Sequence, residues 1–170
     1  MDSNDLLQDA FERIRGVAHT AIEGLDADAL AFRADPDANS IAWLVWHLVR
    51  IQDDHVAELA GREQAWTAEA WHERFGMSSD PSNTGYGHTS EQVAAVRPDG
   101  PGVLAGYLDA VTDASRDYLA GVDAAELDRV IDTSYDPPVT VGVRLVSVIS
   151  DGLQHAGQAR YVRGILERRT

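Results

Sequence analysis

Residues 41–60 read IAWLVWHLVRIQDDHVAELA, and this stretch decides the fold. Its first half is almost entirely large and apolar, with His47 and Arg50 as the polar exceptions. So much apolar surface indicates a helix that other elements cover on several sides. Because Ser40 is a typical N-cap residue and Gly61 a typical stop signal, the sequence predicts a helix over residues 41–60.

Three further long helices are predicted around this one. Apolar residues recur at spacings of three and four in residues 5–24, 102–120 and 141–167, and Thr140 caps the last of these segments. No stretch shows the alternation typical of a strand. We therefore expect an all-α protein with the four-helix-bundle architecture, folded as a single domain over residues 1–170.

The connections between the long helices are less regular. Residues 76–86 predict a long loop rich in Ser, Asp, Pro, Asn and Gly. Thr89 and Gln92 form a capping box in front of a short helix, and residues 123–126 predict another helical turn. Ahead of the loop, one short helix is expected, anchored by three aromatic residues: Trp66, Trp71 and Phe75.

The composition excludes several classes of function. The chain has 170 residues, 44% of them apolar, without a run long enough to span a membrane. It contains no cysteine, which excludes disulfides, cysteine nucleophiles, iron–sulfur clusters and thiolate-rich zinc sites. The formal net charge of −14 repels phosphate backbones, so nucleic acid is not an expected partner. The N-terminal residues are acidic and lack the basic flank of a signal peptide, which predicts a cytoplasmic protein.

Asp151 and His155 form the first candidate for chemistry. They are four residues apart in the last predicted helix, so they share one face, one turn from each other. Val148 and Ala159 continue that face, which is mostly apolar and therefore directed toward the core. A buried carboxylate is costly unless a positive group holds it. Taken alone, the pair is also explained by an ordinary intrahelical ion pair, which is common.

His47 favours a metal site over the ion pair. It lies between Trp46 and Leu48, where a histidine is either hydrogen-bonded to a carbonyl or a metal ligand. Together with Asp151 and His155 it gives three ligands that converge inside a bundle, which is how bundles build metal sites. Two imidazoles and one carboxylate suit a divalent ion, zinc foremost and nickel, iron or manganese otherwise. Three protein ligands leave open positions, which is typical of reactive sites.

His55 is the rival ligand on the same helix. It is eight residues from His47, about 12 Å along a helix that rises 1.5 Å per residue, so the two cannot share one ion. His55 lies beside Asp53, Asp54 and Glu58, which indicates a solvated face. His47 is therefore the preferred ligand.

Three motifs of the chain resemble the DinB-like superfamily. They are SIAWLVWHL at residues 40–48, GYGHT at 85–89 and DGLQHAGQ at 151–158. The resemblance covers nearly the whole chain and is closest to the actinobacterial branch near the N-terminal domain of mycothiol-dependent maleylpyruvate isomerase. Members are four-helix bundles whose metal is held by a histidine of the second helix and two residues four apart on the last. The resemblance thus implies the same three ligands: His47, Asp151 and His155.

The resemblance also implies a function. Its relatives suggest a metal-dependent transferase or isomerase that uses a small thiol such as mycothiol and an electrophilic small molecule. A metal with an open position lowers the pKa of a bound thiol, which fits this chemistry. His88, which follows the turn at residues 85–87, is the candidate acid or base, and an exposed loop histidine is its alternative. Arg144 and Arg160 are candidate contacts for an anionic substrate, although solvated helix arginines explain both more simply.

Two other functions fit the same residues. One is a metal-binding stress or interaction protein without turnover, a homodimer formed through an apolar helix face. The other is a hydrolase that uses metal-bound water. The sequence separates neither from the thiol-dependent enzyme, and it does not identify the metal, the thiol or the substrate.

Overall fold

The computed structural model describes residues 1–169, and helices make up most of it. The elements are α1 (Ser3–Ile22), α2 (Ala27–Leu30), α3 (Ile41–Ala60), α4 (Ala65–Ala68), α5 (Trp71–Arg74), α6 (Ser90–Ala95), α7 (Pro101–Leu119), α8 (Ala124–Asp128), β1 (Val130–Asp132), β2 (Val139–Thr140) and α9 (Val141–Glu167). The long helices α1 and α3 each pack against both α7 and α9, so α1 and α3 lie diagonally across a four-helix bundle. The predicted all-α fold is confirmed, and α3 and α9 begin and end at the predicted residues.

Helix α3 is the central element of the core. Every residue from 41 to 50 is buried, including the polar His47 and Arg50. Its side chains therefore contact neighbours on several sides, as their apolar character predicts. Even so, none of the helices described within residues 1–169 is both long and apolar enough to cross a membrane.

Capping interactions explain where the two ligand-bearing helices begin and end. The Ser40 hydroxyl accepts from the backbone N–H of Trp43 at 3.1 Å. Gly61 ends α3 in the left-handed conformation, with φ 63°. The Thr140 hydroxyl accepts from the backbone N–H of Val143 at 3.3 Å and starts α9. These local signals therefore mark both ends of α3 and the start of α9.

The connecting segments differ from the prediction. Where no strand was predicted, β1 and β2 form a short antiparallel pair that matches Val130 with Thr140 and Asp132 with Val139. Strands of three and two residues are too short to show alternation in a sequence. Where one short helix was predicted, there are two, α4 and α5, separated by Ala70 in the left-handed conformation. Helix α2 was not predicted, and four residues are too few to show a helical period.

Candidate metal centre

The three predicted ligands meet between α3 and α9. His47 comes from the middle of α3, and Asp151 and His155 come from one face of α9. One potential ligand atom from each side chain lies within 4.8 Å of the others. Across residues 1–169 this is the one group of three histidine or carboxylate side chains that meets this criterion. Packing of α3 against α9 is what brings the predicted residues together.

His47 is buried and held in one orientation. Its Nδ1–H donates to the carbonyl of Thr84 at 2.5 Å, so Nε2 keeps the free lone pair. The indole of Trp43 stacks on the imidazole with ring centroids 4.6 Å apart. Burial lowers the pKa of His47 and outweighs the opposing effect of the Thr84 hydrogen bond. The ring is therefore neutral at neutral pH, which is the form that binds metals.

His155 is held by its neighbours on α9. Its Nδ1–H donates to the side-chain oxygen of Gln158 at 2.8 Å, and its Nε2 lies 3.4 Å from Asp151 Oδ1. Burial alone would lower the pKa of His155, but the hydrogen bonds with Asp151 and Gln158 outweigh burial and raise it. In the metal-free protein these two residues therefore make the intrahelical contact that the sequence left open, which is an ion pair when His155 is protonated.

The second carboxylate oxygen of Asp151 is not explained by that ion pair. Asp151 Oδ2 is buried and has no hydrogen-bond partner among the described residues. An unsatisfied buried acceptor costs on the order of 1–3 kcal/mol, and more when it is charged. A divalent cation held by Asp151, His47 and His155 would satisfy this oxygen and offset the carboxylate charge. The residues present therefore fit a metal ion better than they fit an isolated ion pair.

A loop closes one side of this group of ligands. In the 81–88 loop (residues 81–88), Gly85 has a φ of +93°, which other residues rarely adopt. A Cβ at Gly85 would lie 2.8 Å from the Trp46 ring and 3.0 Å from His47 Nδ1. Glycine is thus required here both for its conformation and for the close approach of the loop to α3.

His88, the predicted acid or base, has both ring nitrogens in hydrogen bonds. Trp43 Nε1–H donates to His88 Nδ1 at 3.1 Å, and His88 Nε2–H donates to Asn83 Oδ1 at 2.8 Å. The ring stacks on Trp46 with centroids 5.6 Å apart. Burial lowers the pKa of His88, so the ring is neutral at neutral pH. His88 is therefore not the exposed loop histidine that was the alternative.

The rival His55 has its own partner. Its Nδ1 accepts from Arg144 at 2.9 Å, and it is not part of the group of converging ligands. The prediction that the residues around His55 face solvent is wrong for Asp53, which is fully buried. Its carboxylate accepts from the backbone N–H groups of Ala65 and Trp66. Those two contacts cap α4, and no local pattern in the sequence indicates this long-range partner.

The two arginines considered for substrate binding also have partners within the protein. Arg144 contacts His55 and lies 3.5 Å from Glu58, and Arg160 donates to the carbonyl of Thr20 on α1 at 3.0 Å. Each therefore links α9 to a neighbouring helix.

Sequence reasoning missed two groups beside the ligands. The Thr84 carbonyl leaves no sequence signal, because any residue supplies a carbonyl. Arg50 is fully buried and donates to the 81–88 loop, at the carbonyls of Pro81 and Asn83. A signal for Arg50 was present, since it is a charged residue in the most apolar stretch of the chain, three residues after His47.

A surface cavity of about 640 Å³ lies elsewhere, beside α7 and α8, and includes none of the three ligands. Its ionisable groups are already paired: Tyr118 donates to Glu126, which also accepts two hydrogen bonds from Arg129. These contacts lower the pKa of Glu126 to about 2, and burial raises the pKa of Tyr118 to about 12. Such a closed set stabilises the α7–α8 corner and offers little to a ligand.

Comparisons with known proteins identify the family of the chain and a solved structure of the same fold. A family model described as mycothiol-S-transferase matches residues 6–168. Among solved structures, the crystal structure of a conserved protein from Enterococcus faecalis has a TM-score of 0.89 and 29% sequence identity, covering 96% of each chain. A search of curated proteins found no match. The chain therefore belongs to the mycothiol-S-transferase family, within the DinB-like superfamily that its motifs resemble.

Proposed function

We propose that this protein is a divalent-metal-dependent transferase that joins the sulfur of mycothiol to an electrophilic small molecule. Family membership supports the thiol and the transfer. The observation that carries the metal is the buried, unpartnered Oδ2 of Asp151 between two histidines whose ligand atoms lie within 4.8 Å. An isomerase that uses the same thiol would share this first step.

His47, Asp151 and His155 would hold the ion, with zinc the first choice and nickel, iron or manganese as alternatives. A divalent ion in this place would lower the pKa of a coordinating thiol enough to give a thiolate at neutral pH. His47 is already neutral, with its Nε2 lone pair free. His155 has a raised pKa, so wherever its ring is protonated, metal binding would release that proton as the contact with Asp151 is exchanged for the ion.

The transfer forms one C–S bond at the electrophilic carbon. The thiol gives up its proton to solvent, the sulfur attacks the electrophilic carbon with its electron pair, and one C–S bond forms. The leaving group departs with the pair of electrons from the bond that breaks, or the electrophile takes up a proton if it is an acceptor double bond. The protein's contribution is to hold and orient the two reactants.

The exposure of the ligands gives the direction of approach. Asp151 and His155 keep 31% and 19% of their side-chain surface exposed, whereas His47 is 5% exposed. We infer that the thiol and the electrophile enter from the α9 side, across Asp151 and His155. The Trp43 ring, edge-on to His155 at 6.1 Å, supplies an apolar wall from the α3 side.

For His88 we propose a positioning role. Its two hydrogen bonds join the Trp43 indole to the Asn83 side chain and so fix the indole that stacks on His47. The acid–base role expected from the sequence stays a prediction, and it requires His88 to exchange one of these partners for substrate.

A conjugation assay tests the proposal. Chelated protein, and the same protein reloaded with zinc, are mixed with mycothiol and a fluorogenic haloalkane such as a bimane derivative. We expect the thioether to form faster than the uncatalysed background with the zinc-loaded wild-type protein. Chelated protein and zinc-loaded His155→Ala should give only the background rate. Zinc-loaded protein that gives only the background rate with a range of electrophiles would contradict the transferase and favour the non-catalytic metal-binding alternative.

A further inference from the structure

Arg50 is a buried cation whose partners are unusual. None of its surface is exposed, yet its guanidinium makes four hydrogen bonds. Nε donates to the Asn83 carbonyl at 3.1 Å, and one NH2 group donates to the Pro81 carbonyl at 2.7 Å and to Gln64 Oε1 at 2.9 Å. NH1 donates to the Tyr107 hydroxyl at 3.0 Å. Half of these contacts are therefore with the backbone of the 81–88 loop.

Charge neutralisation by Asp53, which forms a buried ion pair with Arg50, does not by itself explain the two hydrogen bonds to the 81–88 loop. The nearest carboxylate, Asp53, lies 3.6 Å from Arg50 NH1 and is shared with other donors. Asp53 accepts from the backbone of Ala65 and Trp66 and from the Tyr107 hydroxyl. Apolar side chains of similar volume often replace both partners of a buried ion pair without loss of stability, whereas removal of one partner is strongly destabilising. A core that needed only stability would not require a guanidinium at this position.

The two loop carbonyls held by Arg50 lead directly to the metal ligand. Only Ser82 separates Pro81 from Asn83. The residue after Asn83 is Thr84, and its carbonyl accepts from His47 Nδ1–H at 2.5 Å. Arg50 and His47 are three residues apart on α3, so one helix face holds both ends of the loop segment. The planar fork of an arginine can bind several carbonyls in a fixed geometry, which a lysine cannot.

We propose that Arg50 is a positioning residue for the metal centre: it fixes residues 81–84 so that the Thr84 carbonyl selects the Nδ1–H tautomer of His47 and leaves Nε2 for the ion. This inference rests on the proposed function for its purpose, but the tautomer is a property of the metal-free protein. Groups that orient a ligating histidine commonly change metal affinity by about 10–100-fold when they are removed.

The test compares three variants by two measurements. Arg50→Met removes the fork, Arg50→Lys keeps the charge without the fork, and Tyr107→Phe disturbs the same network on the side away from the loop. Circular dichroism first establishes that each variant is folded. The His47 tautomer is then read from long-range proton–nitrogen NMR correlations of the imidazole in metal-free protein, and zinc affinity is measured by competition with a chromophoric chelator.

We expect Arg50→Met and Arg50→Lys to give a mixture of His47 tautomers and to bind zinc about 10–100-fold more weakly. Tyr107→Phe should lose stability but keep the single tautomer and the wild-type affinity, because the loop carbonyls bind Nε and NH2 rather than NH1. A role in stability alone would weaken zinc binding in Tyr107→Phe as well.

Other results would overturn the inference. They are a single Nδ1–H tautomer in Arg50→Lys, an equal loss of affinity in Tyr107→Phe, or failure of both Arg50 variants to fold, which would make Arg50 a requirement of the fold itself. If wild-type protein binds none of zinc, nickel, iron or manganese, the proposed function fails, while the tautomer in the metal-free variants still decides the role of Arg50.

Discussion

Helices α3 and α9 hold two polar clusters that differ in whether the chain supplies a permanent positive charge. The inner cluster is His47, Asp151 and His155, and the outer cluster is His55, Arg144 and Glu58. The outer cluster has its own permanent cation, since Arg144 contacts both His55 Nδ1 and Glu58. The inner cluster has none, and one of its carboxylate oxygens is buried without a partner.

This difference teaches how a metal centre can be told from an ion-pair network. Both clusters place a histidine of α3 opposite α9, so topology does not distinguish them. What distinguishes them is whether the buried acceptors are matched by donors already in the chain. The outer cluster is complete as it stands, whereas the inner cluster has a buried acceptor that the proposed cation would satisfy.

The largest expected effect is on metal affinity. His47→Ala or His155→Ala should weaken zinc binding by at least about 100-fold, the upper end of the losses seen for supporting residues, because each removes a direct ligand. His55→Ala, in the outer cluster, should keep one zinc per chain. Competition titration and elemental analysis measure both, and full zinc occupancy in His47→Ala would show that the inner cluster is not the site.

Asp151→Asn tests the charge of the inner cluster alone. The amide keeps the size of the side chain but cannot offset a divalent charge, so zinc affinity should fall, by less than in the histidine variants. Glu58→Gln is the matched control in the outer cluster and should leave affinity unchanged. Equal affinities for Asp151→Asn and the wild type would mean that the carboxylate is not a ligand.

Removal of the metal should lower stability without unfolding the protein. The core is large enough to fold alone, and a ligand at 100 times its dissociation constant adds about 2.7 kcal/mol. For a domain of this size that corresponds to a Tm shift of roughly 5–10 °C, measurable by calorimetry with and without chelator. Loss of the cooperative transition on chelation would instead make the ion structural.

Close packing of the 81–88 loop gives a smaller effect. Gly85→Ala should cost about 1–3 kcal/mol, since it adds backbone strain and a contact with Trp46 that would be only 2.8 Å. Gly87→Ala is the control, because Gly87 also has a positive φ of 73° but has nothing within 4 Å of an added Cβ. Chemical denaturation of the two variants separates the packing effect from the conformational one, and equal costs would mean that the loop does not press on α3.

The smallest effect is on titration of the two half-buried histidines in the metal-free protein. Burial opposes protonation of His155, but the hydrogen bonds with Asp151 and Gln158 outweigh it and raise the pKa of His155 above 6.5. Burial and the charge of Arg144 lower the pKa of His55 below 6.5. The His155 contribution to stability is therefore present below pH 6.5 and lost as pH rises through its raised pKa. The His55 contribution has the opposite sign: it is present above pH 6.5 and lost as pH falls.

NMR titration of the ring protons measures these midpoints directly. Asp151→Asn should lower the midpoint of His155 and change that of His55 much less, because the contact with Asp151 is direct only for His155. Midpoints of the two histidines on the same side of 6.5 would contradict the contrast between the clusters.

The sequence predicted the parts of this account that depend on local patterns. The bounds of α3 and α9 follow from caps and apolar spacing, and the i, i+4 spacing of Asp151 and His155 places both on one face. The convergence with His47 required a bundle, and the pattern of long helices supplied it. Local patterns were therefore enough for the fold and for the three candidate ligands.

The remaining parts depend on long-range contacts that no local pattern contains. Asp53 caps a helix twelve residues away, and Arg50 holds a loop more than thirty residues along the chain. The Thr84 carbonyl is a backbone group, so its residue type carries no information about its role. The orphaned Asp151 oxygen, which favours the metal over the ion pair, is likewise visible only once the surrounding donors have been placed.

The most direct test of the metal-bound thiol uses cobalt(II) in place of the native ion. On addition of mycothiol to the cobalt-loaded protein, we predict a sulfur-to-cobalt charge-transfer band in the near ultraviolet, with an apparent thiol pKa below the free value of about 8.5. His55→Ala should give the same band, and His47→Ala should give none. Cobalt that stays bound to wild-type protein while mycothiol produces no band would contradict the account.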